Sequence, residues 1–401
     1  MKHIGIIGSF GSGNLGDEAA WQAIKRFLIT KDPRYKYHTH VFQWSSPYQT
    51  CGYHAEPVYI LTHKELEWIN NNFEAMIITG GGIVGWDWGL SKTRGIDKII
   101  NGLKIPLYTI SISAEKGEYN EEIKANIKAI MDKSKIFTVR DTYSQENIKN
   151  ITGITPEITP DIVSILGEEY PIHKSKLDKL KDTLMINASN CLTPELIEFY
   201  SKLYMDLNGK ENISCIPFAP CFNDVALAIK TQQDMHFGFY MPSEMISIMK
   251  SKKFVIAGRL HAAVFSATAG VPFFAINYHP KVKAFCDSIN YPYYYPKTND
   301  LPEDFTKYGF DIKSFNYDEM FKQLKAHMDN PVKPPKYHTA MILCESVYND
   351  IKGISLQQIE KNSTPTNCMY CGEDIVLEGF FTKCEKCNNI NQNEKYQPDT
   401  K

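Results

Sequence analysis

Four cysteines near the end of the chain carry the strongest local signal. Cys368 with Cys371 and Cys384 with Cys387 form two CxxC pairs, a spacing that suits tetrahedral zinc in a closed structural site, with iron the other metal such ligands accept. Ile375-Val376-Leu377 and Phe380-Phe381-Thr382 read as a hairpin between the pairs. A module of about 30 residues cannot fold on core burial, so metal binding should fold it. The other six cysteines, Cys51, Cys191, Cys215, Cys221, Cys286 and Cys344, lack spacing logic, which suits a reducing compartment better than a disulfide framework.

A second set of residues lies at the other end. Gly11-Ser12-Gly13-Asn14-Leu15-Gly16 matches GxGxxG after an apolar run and before a helical pattern, so a dinucleotide has to be considered. That ligand wants an acid at the end of the next strand, where Gln43-Trp44-Ser45 stands, and Asp17 would repel a pyrophosphate at the helix N-terminus. No NAD is therefore expected. The glycines allow backbone N–H groups to approach a ligand oxygen, and Asn14 and Asp17 offer side-chain contacts to hydroxyls such as those of a sugar. A tight turn would explain a lone loop of this kind as well. Thr79-Gly80-Gly81-Gly82 supplies a second loop after another apolar run.

Short apolar runs alternating with amphipathic helical patterns predict an α/β chain built from βαβ units around parallel sheets. Strands are expected at 4–8, 37–44, 75–79, 107–113 and 136–140, then at 184–188, 213–218, 254–257 and 273–276, with helices such as 194–208 and 243–250. The proline- and lysine-rich stretch 155–181 reads as a linker between two Rossmann-like halves, and 363–366 as a linker into the cysteine module. The expected organisation is a first Rossmann-like domain over 1–170, a second over 171–360 that includes a return helix within 337–360, and a zinc ribbon over 364–392. Ligands of such sheets sit at the carboxyl ends of strands. Arg259 follows one strand and precedes a small-residue helix, an anion-binding address, and Arg140 ends another strand in the same way.

Taken in order, Gly8 to Ala19, Thr79 to Gly82, Val139-Arg140-Asp141-Thr142-Tyr143-Ser144, Pro160-Asp161, Gly258-Arg259-Leu260-His261, Gly270-Val271-Pro272 and Tyr278-His279-Pro280-Lys281-Val282 resemble the polysaccharide pyruvyl transferase family. The likeness runs over roughly residues 4–350. It implies a fold of GT-B type, two facing Rossmann-like domains with a central cleft, phosphoenolpyruvate as donor, and a hydroxyl pair of a sugar or lipid-linked glycan as acceptor. The product would be a ketal. A donor with both phosphate and carboxylate needs cationic, fork-shaped contacts more than a nucleophile. On that basis Arg259 is expected to clamp the donor and His261 to move the proton, with Arg140 and Lys281 as further contacts to the anion. Two features depart from the family pattern: His279 stands where an acid is expected before Pro280-Lys281, and the cysteine module is extra.

Bulk properties narrow the remaining choices. A net charge of -2 gives no basic field to attract nucleic acid or an anionic bilayer. The segment 254–278 is the most apolar, yet Arg259 and His261 interrupt it, so no transmembrane segment is expected; the opening residues Met1 to Gly8 read as a strand rather than a secretion signal. A cytoplasmic location follows as an expectation, and a homo-oligomer is compatible with it. Two other functions fit the same fold: a GT-B glycosyltransferase using a nucleotide sugar, and an inactive binding protein that recruits a partner through the zinc ribbon.

Overall fold

The computed structural model describes residues 1–11, 13–43, 58–61, 63–84, 100–167, 181–189, 194–219, 224–231, 242–297, 315–336 and 340–353, and four short strands beyond them. The chain divides into two compact units, Met1–Ala340 and Met341–Lys401. The larger unit holds two parallel sheets. In the first, β1 (His3–Gly8), β2 (Thr39–Gln43), β3 (Val58–Ile60), β4 (Phe73–Thr79), β5 (Leu107–Ile112), β6 (Ser134–Val139) and β7 (Glu157–Ile158) stand in the order β3-β2-β1-β4-β5-β6-β7. In the second, β8 (Leu184–Asn187), β9 (Ile213–Cys215), β10 (Phe254–Ala257), β11 (Phe273–Ile276) and β12 (Tyr294–Tyr295) stand in the order β12-β11-β10-β8-β9.

Strands covered on both faces read as unbroken apolar runs rather than alternating ones, and β5 and β10 are buried at every residue. In the first sheet β1 lies between β2 and β4, so the chain leaves the carboxyl ends of β1 and β4 in opposite directions. The same reversal occurs between β8 and β10 in the second sheet. Crevices open at such points. The two glycine loops leave β1 and β4, and Arg259 leaves β10, so the fold itself assigns these loops to crevice positions.

Among the helices that matter here, α1 (Leu15–Lys31), α2 (Glu121–Lys133) and α3 (Thr142–Thr152) flank the first sheet's strands in sequence. The second sheet's strands are flanked by α4 (Pro194–Leu207), α5 (Pro242–Lys250), α6 (Leu260–Ala269) and α7 (Pro280–Ser288). Asn14 caps α1 by accepting from the Gly16 N–H at 3.2 Å. Glu18, one turn in, accepts from Gly11 N at 2.7 Å and from Trp21 Nε1 at 2.8 Å, which ties the first glycine loop to its helix. The small residues of α6 let it pack fully, and it ends on Gly270 at φ 69°, the left-handed cap that glycine adopts without strain.

Several expectations are corrected. Residues 157–167, read as linker, form β7 and a buried 3-10 helix, Ile162–Gly167, because Ile162, Val163, Ile165 and Leu166 supply apolar side chains for burial. The strand expected over 37–44 begins only at Thr39, since residues 35–38 make a helical turn around buried Tyr35. In the second unit, Thr364 to Thr366 belong to β13 (Thr364–Asn367), not to a linker. The expected hairpin is also replaced: β14 (Asp374–Leu377) pairs antiparallel with β13, and β15 (Phe381–Lys383) pairs antiparallel with β16 (Ile390–Gln392). Helix Met341–Lys352 lies inside the stretch expected to be helical. Cys368, Cys371, Cys384 and Cys387 lie outside the described residues. Among the described residues no helix is long and apolar enough to cross a membrane.

Candidate active site

The first glycine loop and the start of α1 meet the second sheet's loops directly. Leu15 N donates to Phe218 O at 2.8 Å. Gly16 is required by contact rather than by backbone angle: a Cβ built on it would lie 1.8 Å from His261 Nδ1, so the imidazole rests on bare backbone. Gly16→Ala should therefore swing the ring away, and about a 100-fold loss in kcat/KM with an intact fold is expected. Steady-state kinetics beside a circular dichroism melt check both halves of that statement.

His261 lies in the first turn of α6, two residues after the N-cap residue Arg259, and keeps 12% of its side chain accessible. Its Nε2 stands 3.7 Å from Asp161 Oδ2. Burial lowers its pKa to about 4; Asp161 pulls upward, while Arg140, Lys281 and Arg259 push further down. The ring is neutral at pH 7. Asp161 comes from the stretch read as linker, and its Oδ1 accepts from Val163 N at 3.0 Å while Oδ2 meets Arg140 Nη1 at 3.2 Å.

Arg140 follows β6 and is almost fully buried between Asp161 and Asp141, whose Oδ2 is 3.4 Å from Nε. Burial opposes its charge, but those carboxylates, with Glu115 and Asp17, outweigh burial and raise its pKa. Asp141 also caps α3, accepting from Ser144 N at 2.7 Å, so the arginine's partner is itself fixed. Gly81 separates Arg140 from Asp17: its notional Cβ would be 3.5 Å from Arg140 Nη1 and 3.1 Å from Asp17 Oδ1. Gly80 and Gly82 carry φ of 104° and 65°, and Ser113 holds this turn by accepting from Gly82 N at 2.7 Å.

Asp17 differs from the other acids of the cleft. It is half-buried on the first turn of α1, and among the described residues its side chain makes no hydrogen bond or ion pair. Burial and then Glu18 raise its pKa to about 7, against the pull of Arg140, Lys281 and Arg259. Asn14 directs its side-chain oxygen to the cap of α1.

Arg259 makes a bidentate pair with Asp224, Nε to Oδ2 at 2.5 Å and Nη2 to Oδ1 at 2.7 Å. Its backbone N–H donates to Asn187 Oδ1 at 3.1 Å, so β8 fixes the turn that follows β10. Lys281, on α7, keeps 20% of its side chain accessible and reaches across to Glu115 Oε1 at 3.3 Å. His279 caps α7 through Nδ1 and places Nε2 3.0 Å from Glu115 Oε2. Burial favours neutral forms here, yet Lys281 stays raised because of Glu115, and Glu115 lies well below the usual carboxylate range because Lys281 and His279 face it.

The structure thus brings Asp17, Gly81, Arg140, His261, Arg259 and Lys281 to one cleft between the carboxyl ends of the two sheets. Asp161, Glu115 and Asp224 are the site residues that sequence reasoning missed. Asp161 stood in a quoted motif without a role, and Glu115 carried the one usable signal, an acid just past a buried strand. Asp224 carried none. Three cations face four carboxylates: Arg140 with Asp141 and Asp161, Lys281 with Glu115, Arg259 with Asp224. Among the described residues no group of three His, Cys, Asp or Glu side chains could hold a metal ion.

Comparison with known proteins now bears on this cleft. The family model of polysaccharide pyruvyl transferases matches residues 14–280, most of the larger unit and every residue of the cleft except Lys281. The chain belongs to the polysaccharide pyruvyl transferase family. This transferase has no match among curated proteins. Among solved structures it is similar to the UDP-GlcNAc 2-epimerase of Methanocaldococcus jannaschii in complex with UDP-GlcNAc and UDP, at 11% identity and TM-score 0.53, covering 88% of this chain and 100% of that one. It is similar to S. aureus MnaA in a co-structure with UDP, at 11% identity and TM-score 0.55, covering 88% and 96%. At such identities the likeness shows fold alone. The pyruvyl transferase family member accordingly has a GT-B-like α/β fold with parallel sheets.

Proposed function

We propose that this cleft moves the pyruvyl carbons of phosphoenolpyruvate onto a pair of sugar hydroxyls of a glycan or glycan precursor, forming a ketal and releasing phosphate. The observation that carries this reading is the pairing of two partly accessible groups with opposite pKa displacements, Asp17 upward and His261 downward, beside Lys281 and Arg140. Two titratable groups pushed apart in this way define an acid and a base at neutral pH. Protonated Asp17 gives its proton to the methylene carbon of the donor. A sugar hydroxyl attacks the cation-like central carbon and passes its proton to neutral His261. The carbon–oxygen bond to phosphate then breaks, and the departing phosphate takes the proton from His261. The second hydroxyl closes the ring and returns a proton to Asp17. Of the two directions in which His261 could move a proton, it serves as base, because a ring held at about 4 carries no proton to give. Arg140 and Lys281 supply positive charge to phosphate and carboxylate, and Arg259 supports the field from its pair with Asp224.

The deciding experiment incubates the enzyme with sugar acceptors and either phosphoenolpyruvate or nucleotide sugars. Phosphate release with a ketal mass increment in the acceptor supports the reading; glycosyl transfer from a nucleotide sugar, with no reaction from phosphoenolpyruvate, overturns it. His261→Ala should lose turnover while donor affinity stays within about tenfold. For the second unit, we assign a structural zinc to Cys368, Cys371, Cys384 and Cys387. The two strand pairs each bracket one CxxC in sequence, as a zinc ribbon requires. One equivalent of zinc per chain by elemental analysis, lost in Cys371→Ser, is the expected result.

A further inference from the structure

Glu115 takes no part in those proton transfers, yet its carboxylate faces both the cap of α7 and Lys281 on its first turn. Its backbone is fixed next to the second glycine loop, where its N–H donates to Val84 O at 2.8 Å. The side chain, 5% exposed, points across the cleft: Oε1 lies 3.3 Å from Lys281 Nζ, and Oε2 lies 3.0 Å from His279 Nε2. His279 is the cap of the very turn that carries Lys281, accepting from its N–H at 3.3 Å. Both ends of the lysine, backbone and ammonium, therefore answer to one carboxylate. Opposing it is Arg140, whose like charge acts on Lys281. A lysine has a flexible stem and no fixed fork, so its placement depends on what holds the ammonium.

We propose that Glu115 is a positioning residue that fixes Lys281 for the departing phosphate, and that its charge weakens anion binding in the resting cleft. This rests on reading the cleft as a phosphoenolpyruvate site. The two effects have opposite signs. With Glu115→Gln, the cleft becomes more positive, and orthophosphate or phosphoenolpyruvate should bind about tenfold more tightly. Lys281, no longer tethered, should leave its working place, and kcat should fall on the order of 100-fold. A residue that merely supported the fold would not tighten phosphate binding while slowing turnover.

The test measures orthophosphate affinity by calorimetry and kcat with phosphoenolpyruvate, in the full chain. Glu115→Asp, which keeps the charge, should hold wild-type phosphate affinity and keep at least tenfold more kcat than Glu115→Gln. In a Lys281→Met background, Glu115→Gln should change kcat less than about threefold, because the group it positions is gone. Affinity and kcat falling together, both unchanged in Glu115→Gln, or a full further loss in the Lys281→Met background would each overturn the proposal. A wild-type enzyme that binds neither orthophosphate nor phosphoenolpyruvate would instead sink the underlying reading of the cleft, and Glu115's role with it.

Discussion

Asp17→Asn should bind phosphoenolpyruvate at least as tightly as the wild type and turn it over on the order of 1,000-fold more slowly, the loss expected on removing a placed general acid. The reasoning starts from charge. The cleft already sets four paired carboxylates against three cations, so an ionised Asp17 would be a further negative charge in a site built for a multiply charged anion. Its pKa near 7 in the ligand-free protein means that both forms are populated at neutral pH. A bound anion favours the protonated form, which is the form that donates to carbon. Asparagine has similar size and no charge, so it preserves binding and removes the proton. The sign of the pH dependence follows. Activity requires Asp17 protonated and His261 neutral, so kcat should fall as pH rises through and above about 7, and should fall at the other extreme as pH drops through about 4. Reading kcat keeps the donor's own ionisation in solution out of the profile, and the bound anion should move the alkaline limb upward from 7 rather than downward. In Asp17→Asn the alkaline limb should vanish from the residual activity; a limb that persists there belongs to another group, and the acid would have to be reassigned.

The strands that carry the site were legible because burial on both faces forces unbroken apolar runs: Phe254–Ala257 and Phe273–Ile276 stand at the expected residues. Three of the four edge strands were not, since Val58–Ile60, Glu157–Ile158 and Tyr294–Tyr295 are two or three residues long and leave no period to read, whereas the edge strand Ile213–Cys215 falls inside an apolar run that was legible. The glycine loops could be found because close approach and positive φ restrict those positions to one residue type. What the sequence could not display is pairing across the chain. Asp224 meets Arg259 over 35 positions and Glu115 meets Lys281 over 166, and no local pattern announces such a contact. The protonation states were hidden for the same reason. A histidine two residues from an arginine suggests a group that gives or accepts a proton near neutral pH, but only the packing of His261 on Gly16, within reach of three cations, shows that it is held neutral. The departure at His279 also acquires an account: it faces Glu115, so an acid at 279 would place two buried carboxylates together.

Asp224→Ala should be the most destabilising single change in the cleft, by about 3–5 kcal/mol. Four donors converge on this one fully buried carboxylate: Nε and Nη2 of Arg259, and the backbone N–H groups of Phe218 and Ala219 at 3.3 and 2.9 Å. Removing the acceptor takes the matched partner from a buried guanidinium, which costs far more than the intact pair contributes. Denaturant unfolding should report the loss directly. The double variant Asp224→Leu with Arg259→Met separates fold from function, because replacing both charges with apolar side chains of similar bulk leaves no ion stranded and should return stability to within about 1–2 kcal/mol of the wild type. Activity should not return. Arg259 stands close enough to act on both His261 and Asp17, pushing each toward the form with less positive or more negative charge. Without it, the anion loses one of three cations and Asp17 loses a force opposing its protonation, so donor affinity should fall and the alkaline limb should rise in pH. A loss of at least 100-fold in kcat/KM with a recovered fold is the expected outcome. A double variant that folds and works within tenfold of the wild type would make the arginine a strut for the loop after β9, and the donor's anionic groups would then belong to Arg140 and Lys281 alone.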